Sequence, residues 1–137
     1  MDREQVAALL AAHDVMPTQQ RLDVGAVIFA KRQHLSADQI IDATRAMGSR
    51  VSKATVYNTL NLFCERGLLR TVNVDPTRQF YDPTTTEHHH FYNVDTGELA
   101  DIPVGAVTIE AIADLPAGTA PVGVDVVVRV RNRDSAV

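Results

Sequence analysis

Three of the five histidines stand in one run, His88-His89-His90, with Asp82 and Glu87 close before it. Imidazole nitrogens and carboxylate oxygens together are the donor set that borderline divalent cations take from proteins, so these residue types are those of a metal site. The plain alternative is a solvated polar linker in which the histidines fall together by chance. The run lies where the character of the chain changes. Residues 1–81 carry ten Lys/Arg against eight Asp/Glu, whereas residues 82–137 carry three against nine. A mildly basic front suits a polyanion, and an acidic, histidine-rich back suits a cation.

The elements that must position these groups can be read from length and patterning. With 137 residues and 45% hydrophobic content, the chain fits one domain or two small ones. The back half is near the size at which a single core is marginal, so a homodimer is expected. The first residues lack the apolar run of a signal peptide and no stretch approaches the roughly 20 apolar residues of a membrane span, which predicts a cytoplasmic protein without a membrane partner. The single cysteine, Cys64, excludes an internal disulfide and a Cys-based structural zinc site. It reads as a small core hydrophobe rather than a nucleophile.

Asp2 and Gln5 make a capping box ahead of Val6, Leu9, Leu10 and His13 at helical spacing. Thr18 caps a second helix, expected to end near Arg32, in which Gly25 costs about 1 kcal/mol relative to Ala. Ser36 and Gln39 box a third helix that stops at Gly48, and Ser52 caps a fourth from Lys53 to Arg66, closed by Gly67. Strands Leu68–Val74 and Gln79–Tyr81 follow, joined at Asp75-Pro76-Thr77-Arg78. This order predicts an α+β chain that begins with a winged helix-turn-helix over 1–82.

On the fourth helix Val56, Leu60, Phe63 and Cys64 share one face, while Ala54, Tyr57, Asn58 and Asn61 share the other. A face with short amides and a Tyr, without carboxylates, suits the major groove of double-stranded DNA. Arg50, Lys53, Arg70 and Arg78 are placed to hold phosphates, and the alternative use of a winged helix is protein contact. In residues 83–137 a hairpin is expected from Phe91–Val94 and Leu99–Ile102, then a segment in which Val107, Ile109 and Ala111 alternate as in a strand but Val107–Ala113 also reads as a short helix, the reading preferred here, then a strand from Val122 to Arg131 that needs a partner on its edge. That makes a small α/β dimerisation domain.

The runs Met16-Pro17-Thr18-Gln19-Gln20-Arg21-Leu22, His34-Leu35-Ser36-Ala37, Ala54-Thr55-Val56-Tyr57-Asn58-Thr59-Leu60, Gly67-Leu68-Leu69 and His88-His89-His90 occur in the order seen in ferric uptake regulators. The chain resembles that family over roughly 5–102. Within it, His88-His89-His90-Phe91-Tyr92 and Asp95-Thr96-Gly97-Glu98-Leu99-Ala100-Asp101-Ile102-Pro103 are most similar to the iron response regulator branch. The resemblance implies a metal-responsive transcriptional regulator that binds an inverted-repeat operator as a homodimer. It places a regulatory Fe(II), Mn(II) or Zn(II) on His34, Asp82, His88, His90 and Asp101, and a weaker second site on His89 with Glu110 and Asp125. It also puts the family's recognition-helix Tyr on Tyr57, and Thr55 and Asn58 of the same helix are expected on the DNA beside it. The structural zinc cysteines of many members are Asn93 and Thr96 here, and the residue many members send into the minor groove is Met16.

Two other readings stand beside this one. The branch implies haem as an alternative signal, although Cys64 is followed by Glu65 and not by the proline of a Cys-Pro haem motif. A His/carboxylate metalloenzyme is disfavoured, because catalytic metal sites keep a ligand position open and no general base is identifiable.

Overall fold

Four polar caps set where the helices begin. In the computed structural model, which describes residues 1–86, 88–110 and 112–134, the chain forms two units, Met1–Thr85 and Thr86–Val137. In the first unit, α1 (Arg3–Ala12) and α3 (Ala37–Ala46) start in full capping boxes, Asp2 with Gln5 and Ser36 with Gln39. The hydroxyls of Thr18 and Ser52 accept the N–H of Arg21 and Thr55 at the starts of α2 (Gln19–Ile28) and α4 (Lys53–Glu65). Each cap satisfies backbone donors that have no partner inside the helix.

The second helix ends at Ile28, earlier than the periodicity predicts. The Gln33 side-chain amide donates to the Val27 carbonyl at 2.8 Å, a bond that takes the place of the next helical turn. The core gathers the inward faces of all four helices. Val6, Leu10, Val24, Ile28, Ile40, Val56, Leu60 and Phe63 are fully buried, and the rings of Phe29 and Phe63 pack with centroids 5.8 Å apart. Gly25 belongs to this packing: a Cβ there would lie 2.6 Å from Val6 Cγ1. Its helix-propensity cost is therefore the condition for α1 to approach α2 so closely.

β2 (Arg70–Asp75) and β3 (Arg78–Asp82) form the antiparallel wing, with Arg70 opposite Asp82. Asp75 turns the hairpin by accepting both the N–H and the hydroxyl of Thr77 at 2.8 Å. A third strand, absent from the sequence expectation, is β1 (Leu35–Ser36), which pairs with β3 through Leu35 opposite Tyr81. Two residues carry too little periodicity to be read as a strand.

The second unit is a sheet of order β5-β4-β6, built from β4 (His90–Asn93), β5 (Leu99–Asp101) and β6 (Val127–Val130). β4 pairs antiparallel with β5, His90 opposite Asp101, and parallel with β6, His90 opposite Val127. Asn93 Oδ1 closes the β4–β5 turn by accepting from Asp95 and Thr96. Two expectations are corrected here. The helix near Val107–Ala113 is not formed among the described residues, Ala111 lying outside them. Ile109 and Ile112 are exposed, and a short helix without a surface to pack on does not repay its nucleation. The strand read from Val122 to Arg131 contracts to Val127–Val130, because Val122 is fully exposed and only the later residues find β4.

Candidate metal centre

In the first unit the ladder between β1 and β3 determines the first pair of donors. His34 directly precedes β1 and Asp82 ends β3, so the register that sets Leu35 opposite Tyr81 brings the two side chains together. His34 Nε2 lies 3.1 Å from Asp82 Oδ2. The other carboxylate oxygen accepts the N–H of Thr84 at 2.8 Å, which orients the group. The Asp82 side chain is only 1% exposed.

In the second unit the β4–β5 register does the same for three residues. His90 and Asp101 face each other across the ladder, and His88 lies two residues before His90. His88 Nε2 and His90 Nε2 approach the same oxygen, Asp101 Oδ1, at 3.2 and 3.3 Å, and the two rings lie 4.4 Å apart. His88 Nδ1 is 2.7 Å from the Thr86 carbonyl, which can only accept, so this nitrogen carries the proton. In the neutral ring the lone pair is then on Nε2, turned toward a carboxylate oxygen. A backbone carbonyl that fixes the tautomer of a histidine is a regular feature of metal-binding imidazoles.

The spacing fits neighbouring ligands of one ion. Two donors each about 2.1 Å from a metal, at an angle near 100°, lie about 3.2 Å from each other. The His88, His90 and Asp101 donor atoms all lie within 4.8 Å of one another, so the second unit holds a His/Asp cluster that can bind a divalent cation. The donors are nitrogen and oxygen only, which suits Fe(II), Mn(II) or Zn(II).

His89 is placed differently. Its Nδ1 accepts the N–H of Val126 at 3.0 Å, tying the strand start to the segment before β6. That nitrogen is engaged, and in the neutral ring the proton lies on the other one. His89, Glu110 and Asp125 are not gathered into a metal-binding group among the described residues. Asn93 and Thr96, at the positions of the family's cysteines, make the turn described above.

On α4, Val56, Leu60 and Phe63 are buried while Tyr57 is 38% exposed and Asn58 is exposed, as the two-faced reading expects. Thr55 is half-buried, and its hydroxyl oxygen accepts from Ser52. Arg50, Lys53 and Arg78 are exposed and Arg70 is half-buried. A groove of about 290 Å³ beside Asn58 is also lined by Thr18, Gln20 and Arg21, which composition alone does not single out. Cys64 packs against the core, and burial pushes its thiol up, with the neighbouring Glu65 adding to the shift. The parts that sequence reasoning missed, the Thr86 carbonyl, the Thr84 N–H and β1, are backbone groups without a residue-type signature.

Comparisons with known proteins agree with this architecture. The chain is 28% identical over 98 residues to the peroxide-responsive repressor PerR of Staphylococcus epidermidis, and the match covers 72% of this chain and 65% of that protein. It thus spans slightly less than two thirds of the length of that relative. Among solved structures, the ferric uptake regulator of Pseudomonas aeruginosa with manganese superposes with a TM-score of 0.67 at 23% identity, over 93% of this chain and 97% of that one. The Vibrio cholerae ferric uptake regulator gives 0.71 at 17% identity, over 92% and 98%. At these identities the structures speak for the fold. The family model described as the ferric uptake regulator family matches residues 13–117, well over half of the chain, and the protein therefore belongs to that family.

Proposed function

We propose that the chain is a metal-responsive DNA-binding transcriptional regulator, acting in the cytoplasm as a homodimer on an inverted-repeat operator. The observation that carries this reading is the convergence of His88 and His90 on one oxygen of Asp101 at ligand-like distances, in a chain whose other unit has the helix order of a winged DNA reader. The reading assigns DNA binding to 1–82 and dimerisation with metal sensing to 83–137.

His34 and Asp82 complete the donor set of the second unit, giving three imidazoles and two carboxylates on one ion. Each group by itself is short of ligands for a five- or six-coordinate cation, and only Pro83–Glu87 separate Asp82 from His88. Six chain steps span at most about 20 Å. A bound Fe(II), Mn(II) or Zn(II) supplies a cross-link between the units, and DNA with matched half-site spacing selects the same head orientation.

Within the family, the run from His88 to Tyr92 supports the iron response branch, whereas the Staphylococcus epidermidis relative above is named for peroxide. A peroxide response is the second reading, and it requires a metal that hydrogen peroxide can oxidise. The test begins with operator selection from random duplexes, followed by fluorescence anisotropy with Mn(II), Fe(II), Zn(II) or a chelator. Metal-dependent affinity for the selected sequence is the expected result, and identical binding in chelator rejects the regulatory reading. Loss of binding on adding peroxide to the Fe(II) form, with the Zn(II) form unaffected, identifies the second reading, because zinc has no redox chemistry.

A further inference from the structure

Asp23 lies in the middle of α2, a place for which its helix propensity gives no reason. Its side chain is 14% exposed, and both of its oxygens are engaged. Oδ1 lies 2.9 Å from Nη2 of Arg3, the first residue of α1, and Oδ2 accepts the hydroxyl of Ser49 at 2.8 Å, in the turn between α3 and α4. One carboxylate thus ties α2 to two segments that stand 20 and 26 residues away in the chain.

The Ser49 hydroxyl passes this connection on. Its oxygen also accepts the N–H of Val51 at 3.3 Å, and Val51 is buried directly before Ser52, the residue whose side chain caps α4. Little else holds the turn. Gly48 has a φ of +93°, Arg50 is exposed, and among the described residues no other side-chain hydrogen bond joins residues 48–51 to α1 or α2. The ion pair with Arg3 orients the carboxylate in its turn, because charge-assisted hydrogen bonds are the stronger ones and a held Oδ1 keeps Oδ2 on Ser49.

From this relay we infer that Asp23 and Ser49 are positioning residues for DNA reading, which set where α4 begins and so where Tyr57 and Asn58 point. They act through the start of α4 and not on the nucleic acid itself. The inference rests on the DNA-binding function proposed above and adds to it a control of sequence selectivity from α1 and α2. Groups that recognise a ligand must be held to about 0.5 Å by supporting hydrogen bonds. Contacts to base edges carry sequence information and suffer from a displaced helix, whereas long Arg and Lys chains follow a phosphate through small shifts. Loss of the relay therefore lowers selectivity for the operator more than general affinity for DNA.

The test uses the full chain, the operator duplex selected as above and a random duplex, with anisotropy affinities for both and a urea midpoint for every variant. Ser49→Ala, which alters no charge, should lower the ratio of operator to random-DNA affinity at least fivefold and leave random-DNA affinity within twofold. Asp23→Ala should lower the ratio by at least as much. Ser49→Thr keeps the hydroxyl and should keep the ratio within twofold. Ile28→Val, a small deletion in the core at the other end of α2, should lower the urea midpoint without moving the ratio. A ratio unchanged in Ser49→Ala overturns the inference, as does a ratio that follows the urea midpoint through Ile28→Val as well. Should Asp23→Ala fail to fold, the two Ser49 variants decide alone. An unmodified chain that selects no duplex defeats the proposed function and the positioning roles with it, whereas a selected operator whose preference survives Ser49→Ala defeats the positioning roles only.

Discussion

His34 Nε2 stands 3.1 Å from Asp82 Oδ2, held there by the pairing of Leu35 with Tyr81 next to both residues. The same carboxylate accepts the Thr84 N–H, so Asp82 serves the local structure as well as the proposed ion. Asp82→Ala should destabilise the metal-free protein by about 1–3 kcal/mol, since it removes a nearly buried carboxylate and leaves the part-buried Thr84 N–H without its charged acceptor. Urea unfolding in chelator measures this. An unchanged midpoint would show that the pair carries no structural weight.

The three consecutive histidines separate by role. His90→Ala removes a proposed ligand, and Mn(II) affinity should fall by more than the roughly 10–100-fold that loss of an outer hydrogen-bond partner costs. His89→Ala should leave metal binding nearly intact and cost about 0.5–1.5 kcal/mol, the worth of the hydrogen bond it accepts from Val126. Calorimetric metal titration and urea unfolding of both variants distinguish the two effects. Equal losses of metal affinity would place His89 in the site.

Tyr57 and Arg78 test the DNA face. Tyr57→Ala should reduce the ratio of operator to random-DNA affinity, because base contacts carry sequence information. Arg78→Ala should weaken binding to both DNAs and lower the salt slope by about one counterion. Equal loss on both DNAs in Tyr57→Ala removes it from base reading.

Gly25 and Val6 form a coupled pair. Helix propensity favours Gly25→Ala by about 1 kcal/mol, whereas the forced contact with buried Val6 costs about 1–3 kcal/mol. The single variant should therefore be neutral to destabilising. In a Val6→Ala background, where the Cγ1 contact is gone, Gly25→Ala should become stabilising. A double-mutant cycle in urea checks the sign reversal.

Burial raises the Cys64 thiol, with Glu65 adding to the shift, and burial likewise raises the Tyr81 phenol. A thiol whose folded pKa lies above its unfolded value contributes stability that is intact below the unfolded pKa and lost as pH rises through the folded one. Stability should thus decline as pH climbs from about 8.5, the ordinary thiol value. Cys64→Ala should lower the whole curve through lost packing and make that decline shallower, with the Tyr81 contribution remaining. Urea midpoints between neutral and alkaline pH report it.

Much of the first unit was legible in residue order. Asp2, Thr18, Ser36 and Ser52 each start a helix through their own side-chain oxygen, and Gly48 and Gly67 adopt φ of +93° and +77° where their helices stop. Such caps are local chemistry, complete within four residues, and the sequence by itself determines them. The apolar face of α4 was equally readable, because a 3.6-residue period needs no knowledge of what it packs against. The donor residues were visible only as types and family positions.

Tertiary structure decided the rest. His34 meets Asp82 through a two-residue strand, and Asp101 meets His90 through a ladder register that no single segment encodes. The Thr86 carbonyl assigns the proton on His88, and the Val126 N–H takes the acceptor nitrogen of His89, although the two histidines are adjacent in the chain. The segment before β6 is not helical among the described residues, where Ile109 and Ile112 stay exposed. Side-chain type and period are properties of a short window, whereas register, tautomer and burial depend on partners brought together from distant parts of the chain.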